Sequence, residues 1–183
     1  MSLRVHCVRH APTEAAGRAI GRTDVSTILS AKEACARIDL VLPNVSAVWS
    51  SPLRRCFEPA ACLASRRGVP HCIDPALYEL DHGVFEGRSY VDLEREEPEA
   101  LQAWMNDWLE RGPPSGEAAR DVQARVAAWL HARRSEAHHD IAIVAHAGVV
   151  RALQVIVEGQ SWEQAMSAPV PHLQRIAFVF PPT

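Results

Sequence analysis

The chain has 183 residues, 48% of them hydrophobic and 22% charged, with a formal net charge of −3. This length suffices for one domain with a single sizeable core, and the composition is that of an ordinary globular protein. The 19 Lys and Arg residues are scattered along the sequence, which argues against a nucleic-acid-binding face, and no apolar run is long enough to cross a bilayer.

The cysteines and the N-terminus predict a cytoplasmic protein. The five cysteines are an odd number and form no CxxC motif. We therefore interpret them as small buried hydrophobic residues in a reducing compartment, not as a disulfide frame or a zinc site. The N-terminus has no charged-then-apolar signal segment. The cysteines are Cys7, Cys35, Cys56, Cys62 and Cys72.

Strand and helix signals alternate in the first half of the chain. The first apolar run stops at Arg9, and Ser30 is a suitable N-cap for the first helix. Pro52 suits the first turn of a second helix that Gly68 follows, and Pro59 lies inside that helix, where it is expected to kink it. The predicted elements are a strand over 3–8, a helix over 30–42, a strand over 45–50, a helix over 51–67 and a strand over 71–74.

The second half continues the alternation after a loop-like stretch over 75–90. The run over 140–146 is apolar almost throughout, which is typical of a central strand in a parallel sheet. The pattern predicts one α/β domain over 1–183 with a mostly parallel sheet and a helical insertion at about 88–116. The predicted elements are helices over 90–97, 98–110 and 117–134, a strand over 140–146, a helix over 147–159 and a strand over 175–180.

Polar side chains follow each of the first four predicted strands. Arg9 and His10 follow the first strand, Arg54 the second, Glu79 the third and His146 the fourth. In open α/β sheets, ligands bind beyond the carboxyl ends of the strands. We therefore expect these five residues to gather at one edge of the sheet.

Two arginines, two histidines and the N-termini of helices would form an anion pocket. A carboxylate beside a bound anion makes sense if it is protonated and hands a proton to a leaving oxygen. Neutral imidazole is a nucleophile at physiological pH and can attack phosphorus. The predicted chemistry is phosphoryl transfer through a phosphohistidine, with cationic groups stabilising the charge that develops.

The motif Arg9-His10-Ala11-Pro12-Thr13 resembles the Arg-His-Gly-x-Thr signature of the histidine phosphatase superfamily, the phosphoglycerate mutase-like proteins. Five such segments in order cover nearly the whole chain, which makes the resemblance far more specific than one motif alone. The other four are SSPLRRC (50–56), LYELDHGVFEG (77–87), GEAARDVQARV (116–126) and VAHAGVVRAL (144–153).

The resemblance implies a three-layer α/β/α hydrolase that acts on phosphoric monoesters. It implies that His10 is the nucleophile and that Glu79 is first the proton donor and then the base that activates water. It implies further that Arg9, Arg54 and His146 hold the phosphoryl group, with Thr13 and Ala147 beside the substrate. No cofactor or metal is expected, because Arg and His supply the positive charge.

Within the superfamily, the chain is similar to α-ribazole phosphatases, which act late in cobalamin assembly. The segments that carry this similarity are IGRTDV (20–25), in which Arg22 would face the substrate, and AWMNDWLERGPPSGE (103–117), together with Pro12 and Gly17. The enzyme alternatives are a phosphoglycerate mutase and a broad sugar-phosphate phosphatase. A non-catalytic phospho-ligand binding protein is the alternative from another class.

Four residues depart from the superfamily pattern. Ala11 replaces the usual Gly, Ala16 an Asn, Ala118 a common Ser and His82 an apolar or aromatic residue. These departures affect the expected substrate and rate more than the reaction type.

Several residues have competing interpretations. Asp81 and Glu86 compete with Glu79 for the role of the acid, and Arg55 is interpreted as a solvated or ion-paired helix residue. Trp104 and Trp108 lie four apart on a predicted helix, where packing is the usual role and lining a substrate cleft is the alternative.

No metal site is expected, since the available histidines lack the i,i+4 spacing of two ligands on one helix face. The residues weighed for this role are His131, His138, His139 and Asp140. The expected partner is a small phosphomonoester, without nucleic acid or membrane. The sequence is compatible with a homodimer and does not determine the oligomeric state.

Overall fold

The computed structural model describes residues 2–134 and 140–180, so His138 and His139 lie outside the described residues. Strands and helices alternate as predicted. In chain order the elements are β1 (Leu3–Arg9), α1 (Ala31–Val41), β2 (Ala47–Ser50), α2 (Arg54–Arg67), β3 (His71–Ile73), α3 (Tyr90–Glu96), α4 (Pro98–Asn106), α5 (Ala119–Arg133), β4 (Asp140–Ala145), α6 (Ala147–Glu158), α7 (Trp162–Ser167) and β5 (Arg175–Phe180). Two 3₁₀ helices, Pro75–Leu77 and Gly83–Phe85, lie between β3 and α3.

The five strands form one sheet in the order β3-β2-β4-β1-β5. The first four are parallel, and β5 runs antiparallel to β1, which confirms the prediction of a mostly parallel sheet. The carboxyl ends of β1, β2 and β4 lie side by side, because the backbone N–H of His10 donates to Ala145 O (3.0 Å) and that of Ser51 to Val144 O (3.2 Å).

Helices cover both faces of the sheet, so the three-layer α/β/α prediction is confirmed. Trp129 of α5 and Leu153 of α6 belong to the core on one face. Ile38 of α1 and Leu63 of α2 belong to the core on the other face. This arrangement buries both sides of β4, which explains the apolar run there.

Local signals explain where some helices begin and end. Ser30 caps α1 as predicted and forms a capping box with Glu33. Gly68 ends α2 in the left-handed region with a φ of 65°. The predicted place of Pro52 in the first turn of that helix is wrong, because α2 begins at Arg54 with Leu53 as its N-cap.

The structure differs from the prediction at two further helices. The helix predicted over 98–110 ends at Asn106, and the sequence analysis contains no prediction for α7. In the described part of the chain, no helix combines the length and apolarity needed to span a membrane.

Candidate active site

The imidazole rings of His10 and His146 lie next to each other at the carboxyl edge of the sheet. Their centroids are 5.1 Å apart and their planes meet at 63°. His10 directly follows β1 and His146 directly follows β4, which are adjacent parallel strands. Both residues are buried, so the predicted convergence of these two histidines is what the fold produces.

The backbone carbonyl of the next residue, Ala11, orients the imidazole ring of His10. Its Nδ1 lies 2.6 Å from Ala11 O, and a carbonyl oxygen can only accept, so Nδ1 carries the proton. Burial lowers the pKa of His10 to about 3; the bond to Ala11 opposes that shift, and the charges of Arg55 and Arg9 add to it. The ring is therefore neutral at neutral pH, with a lone pair on Nε2 that can attack an electrophile.

His146 is held by buried side chains of the segment that follows β2. Its Nε2 lies 2.9 Å from Ser51 Oγ and 3.5 Å from Cys56 Sγ. Burial lowers the pKa of His146, and the neighbouring His10 and Arg55 lower it further. Ser51 and Cys56 lie inside the SSPLRRC motif, but neither is among the residues predicted for the site.

Arg9 reaches the same site from the last residue of β1. Its Nη1 donates to Val170 O (2.8 Å), whereas its buried Nε has no hydrogen-bond partner in the described part of the chain. A buried guanidinium N–H without a partner costs free energy unless a ligand accepts its hydrogen bond. An oxyanion beside Arg9 would satisfy it.

The structure corrects the assignment of Arg54. Its side chain is 73% exposed and pairs with Glu58 at 2.8 Å, so it lies on the outer surface of α2 and not with the histidines. Arg55, expected to be solvated or ion-paired, is only 4% exposed. Its charge acts on both His10 and His146. Arg55 is therefore the arginine that α2 contributes to the site.

The carboxylate of Glu79 lies at the N-terminus of α6. This helix begins directly after His146. The carboxylate accepts hydrogen bonds from Gly148 N (3.1 and 3.3 Å) and from Leu80 N (3.0 Å). A Cβ at residue 148 would come within 2.2 Å of Glu79 Oε1, so only glycine permits this approach. The structure thus places the Glu79 carboxylate against Gly148, two residues after His146 in the chain, which fits the convergence predicted at the strand ends.

The carboxylates of Asp81 and Glu86, the two alternatives to Glu79 as the acid, form hydrogen bonds in other parts of the structure. Asp81 accepts from Gly83 N (2.8 Å) and pairs with Arg22 at 3.4 Å. Glu86 accepts from the backbone N–H groups of Arg22 and His82 (2.8 and 3.0 Å). Glu79 remains the carboxylate of these three that faces the site.

Glu86 and Arg55 form hydrogen bonds with the backbone of the loop Gly21–Thr23, Glu86 with its N–H groups and Arg55 with its carbonyl groups. Glu86 accepts from all three backbone N–H groups and from the Thr23 hydroxyl, at 2.6 to 3.2 Å. Arg55 donates to the carbonyl oxygens of Gly21 (2.6 Å) and Thr23 (2.8 Å). Through the loop Gly21–Thr23, these bonds link Arg55 of α2 to Glu86, in the same segment as Glu79.

The remaining predicted residues take less direct positions. Arg22 pairs with Asp81 and with Glu117 (2.9 Å) and lies over the ring of Tyr78, so the protein itself occupies its guanidinium. Thr13 is half-buried and bridges to Thr27. Ala147 is buried at the start of α6.

A third imidazole, that of His172, was missed by the sequence analysis. Its ring centroid is 5.4 Å from that of His10, and its Nδ1 lies 2.6 Å from His10 O. His172 precedes β5 and bridges to Arg9. No local motif marks it, because only the pairing of β5 with β1 brings it to the site.

No cluster of three or more His, Cys, Asp or Glu residues that could hold a metal ion occurs among residues 2–134 and 140–180. His131 is exposed on α5, and Asp140 pairs with Arg4 at 3.3 Å. Of the cysteines, Cys7, Cys35 and Cys56 are buried, as predicted, whereas Cys62 and Cys72 are half-buried.

Comparison with known proteins gives one consistent family. The profile of the histidine phosphatase superfamily (branch 1) matches residues 5–180. The adenosylcobalamin/alpha-ribazole phosphatase of Escherichia coli is 33% identical over 157 residues, 82% of this chain and 77% of that protein. A putative phosphoserine phosphatase 2 of Hydrogenobacter thermophilus is 26% identical over 161 residues, 85% of this chain and 79% of that protein. The crystal structure of the alpha-ribazole phosphatase of Shigella flexneri superposes with a TM-score of 0.85 at 29% identity, over 97% of this chain and 94% of that one.

Proposed function

The chain belongs to the histidine phosphatase superfamily and is a phosphatase, and on this basis we propose that it hydrolyses phosphomonoesters through a phosphohistidine on His10. The observation that carries the proposal is the state of the His10 ring. Nδ1 is tied to Ala11 O, the ring is neutral, and a second imidazole lies 5.1 Å away. Nε2 is therefore the nucleophilic atom.

In the first step, the phosphate of the substrate binds against Arg9, Arg55 and His146. Nε2 of His10 forms a bond to phosphorus as the bond from phosphorus to the ester oxygen breaks. Glu79, protonated at this point, gives its proton to the departing oxygen, so an alcohol leaves. The two guanidinium groups stabilise the charge on the phosphoryl oxygens.

In the second step, water attacks the phosphorus of the phosphohistidine. The Glu79 carboxylate takes a proton from this water, the bond from nitrogen to phosphorus breaks, and His10 returns to its neutral form. Inorganic phosphate is the product, and Glu79 is again protonated for the next cycle.

Ser51 forms a hydrogen bond with the imidazole ring of His146. The Ser51 hydroxyl oxygen accepts from Leu53 N (3.3 Å), so its own hydrogen can point to His146 Nε2 at 2.9 Å. We propose that the hydroxyl donates in this way and that the ring proton of His146 therefore lies on Nδ1. A neutral imidazole with one fixed N–H can donate to a phosphoryl oxygen without adding a buried charge.

We propose α-ribazole 5′-phosphate as the substrate. Support comes from the alpha-ribazole phosphatases of Escherichia coli and Shigella flexneri, which match this chain over most of its length. The family match over residues 5–180 also supports one domain for the whole reaction. A mutase would have to return the phosphate from His10 to an isomerised product.

The test is a panel of phosphomonoesters assayed for released inorganic phosphate, with His10→Ala as the inactive reference. The panel contains α-ribazole 5′-phosphate, phosphoserine, sugar phosphates and 3-phosphoglycerate. We expect phosphate release to be fastest from α-ribazole 5′-phosphate and absent in His10→Ala. Isomerised phosphoglycerate without free phosphate would indicate a mutase, and phosphate binding without turnover of any ester would indicate a binding protein.

A further inference from the structure

A short segment between α7 and β5 contacts Arg9 and His10 at the carboxyl end of β1. Arg9 Nη1 donates to Val170 O (2.8 Å), and the backbone N–H of Leu173 donates to Arg9 O (3.0 Å). His172 Nδ1 lies 2.6 Å from His10 O, and because a carbonyl oxygen can only accept, this nitrogen carries the proton. The segment therefore holds the side chain of Arg9 and the backbone carbonyls of both site residues.

The residue that follows His172 has an unusual backbone conformation. Leu173 adopts a φ of 58°, in the left-handed region where a leucine is uncommon. Its side chain is buried in the same core cluster as Val8 and Ala11, and its N–H bonds to Arg9 O. Such a conformation persists only where the surrounding structure imposes it, and it is frequent at functional sites. The packing around Leu173 thus fixes the preceding residue, His172, against the nucleophile.

The imidazole of His172 lies beside that of His10, with ring centroids 5.4 Å apart and planes at 61°. The backbone N–H of His10 donates to Ala145 O (3.0 Å), so the bond from His172 gives the nucleophile a partner for its second backbone group. Burial lowers the pKa of His172; the bond to His10 opposes that shift, and the charge of Arg9 adds to it. The neighbouring ring is therefore neutral at neutral pH and does not repel the positive charge that His10 gains when its Nε2 bonds to phosphorus.

We propose that His172 is a positioning residue for the nucleophile: its Nδ1–H holds the carbonyl of His10, and its ring confines the His10 imidazole, so that Nε2 points at phosphorus. The inference rests on the proposed phosphohistidine reaction and adds to it a residue that acts through His10. Attack requires close alignment of the reacting atoms, and a displacement of about 1 Å can cost roughly 10²-fold in rate. Because the phosphate binds against Arg9, Arg55 and His146 in that reaction, loss of His172 should slow attack and leave phosphate binding nearly intact.

Three variants test this hydrogen bond in steady-state kinetics on the ester of the panel that the wild type turns over fastest. His172→Leu removes the donor, and we expect kcat to fall roughly 10- to 100-fold while KM changes by less than about threefold. His172→Asn keeps an N–H donor near the position of Nδ1 and should have a kcat at least roughly fivefold above that of His172→Leu. Gln174→Ala, at an exposed position of the same segment, is the matched control and should stay within about twofold of the wild type.

Two inhibitors separate the positioning of the nucleophile from the binding of the anion. Orthovanadate becomes five-coordinate when a nucleophile adds to it and so resembles the transition state, whereas inorganic phosphate reports on the anion pocket alone. In His172→Leu, the Ki of orthovanadate should rise by about the factor by which kcat falls, and the Ki of phosphate by less than about threefold. Equal increases in both constants, no recovery of kcat in His172→Asn, or a loss of stability in urea without a change in kcat would overturn the positioning role.

Nitrogen NMR of the imidazole rings gives a readout that needs no turnover. In the wild type we expect His172 to be neutral and protonated on Nδ1. The ring resonances of His10 should shift in His172→Leu and return toward their wild-type positions in His172→Asn. Protonation of His172 on Nε2 alone, which the wild type reveals even if His172→Leu fails to fold, or unchanged His10 resonances in His172→Leu would overturn the proposal. If the wild type released no phosphate from any ester, the proposed function would fail, and these spectra would still decide whether His172 positions His10.

Discussion

Arg54 and Arg55 are consecutive residues of α2 whose side chains lie in opposite environments. The side chain of Arg54 is 73% exposed and pairs with Glu58. Arg55 is 4% exposed and donates to the carbonyl oxygens of Gly21 and Thr23. Successive residues of a helix are rotated by about 100°, so one guanidinium faces solvent while the next faces the histidine pair.

Replacing these two arginines separately should give very different enzymes. Arg55→Ala removes a buried cation that would stabilise the transition state, and we expect kcat/KM to fall roughly 10²–10³-fold. Arg54→Ala loses only an exposed ion pair and should stay within about twofold of the wild type. Steady-state kinetics on one substrate, with circular dichroism as a check of folding, measures both. Equal losses in the two variants would contradict the placement of Arg55 in the phosphate pocket.

Glu79→Gln should show an effect that depends on the leaving group. The amide cannot donate the proton that an alkoxide needs, so turnover of ribose 5-phosphate should fall roughly 10²–10⁴-fold. p-Nitrophenyl phosphate releases a weakly basic oxygen that needs little protonation, and its phosphorylation step should fall much less. Pre-steady-state release of nitrophenol measures that step. An identical loss for both esters would show that Glu79 is not the acid.

Glu86→Gln should destabilise the protein more than it changes the chemistry. The carboxylate accepts from three consecutive backbone N–H groups of Gly21–Thr23 and from His82 N. An amide keeps one acceptor oxygen and turns two N–H donors toward these donors, at an expected cost of about 1–3 kcal/mol in the free energy of unfolding. Urea denaturation measures it. Glu97→Gln, which affects only an exposed pair with Arg88, is the control. An equal change in both variants would show that Glu86 does not stabilise the loop Gly21–Thr23.

Acid should destabilise the fold through its buried histidines. Burial lowers the pKa of His10 to about 3 and lowers that of His146, whereas the pKa of an unfolded histidine is about 6.5. Below pH about 6.5 the histidines of the unfolded chain bind protons, whereas those buried in the folded chain stay neutral. The free energy of unfolding therefore decreases as pH falls from about 6.5 toward about 3. Burial also lowers the pKa of His6, His71, His82 and His172.

Thermal melts between about pH 8 and about pH 5 measure this loss. His10→Asn removes one of the groups and should flatten the decline. A melting temperature that is constant over this range, or an unchanged slope in His10→Asn, would contradict burial of neutral imidazole at the site.

Sequence patterns located the strand ends more reliably than the direction of the side chains that follow them. Apolar runs end at Arg9 and His146 because the chain leaves the buried sheet there, and parallel pairing then brings the two ends together. The sequence pattern predicts that α2 starts at residue 51, whereas the helix begins at Arg54. Because each residue turns a helix by about 100°, the choice between Arg54 and Arg55 needs the packing of α2 against the sheet.

Two features of the last quarter of the chain are hard to predict from sequence. The helix α7 has six residues, too short for a periodic signal, although Ser161 and Gln164 form a capping box at its start. His172 reaches His10 only because the chain around it pairs with β1. Its place at the site is therefore a product of tertiary structure.

The phosphohistidine mechanism is tested by trapping the phosphorylated enzyme and locating the phosphoryl group. Substrate labelled in its phosphate would be mixed with the protein, quenched in alkali within milliseconds, and the labelled peptide sequenced. We predict an acid-labile, base-stable phosphoramidate on His10 that forms and decays at rates compatible with turnover, and that is absent in His10→Ala. Label on Ser51 or Cys56, or phosphate release at the wild-type rate by His10→Ala, would contradict it.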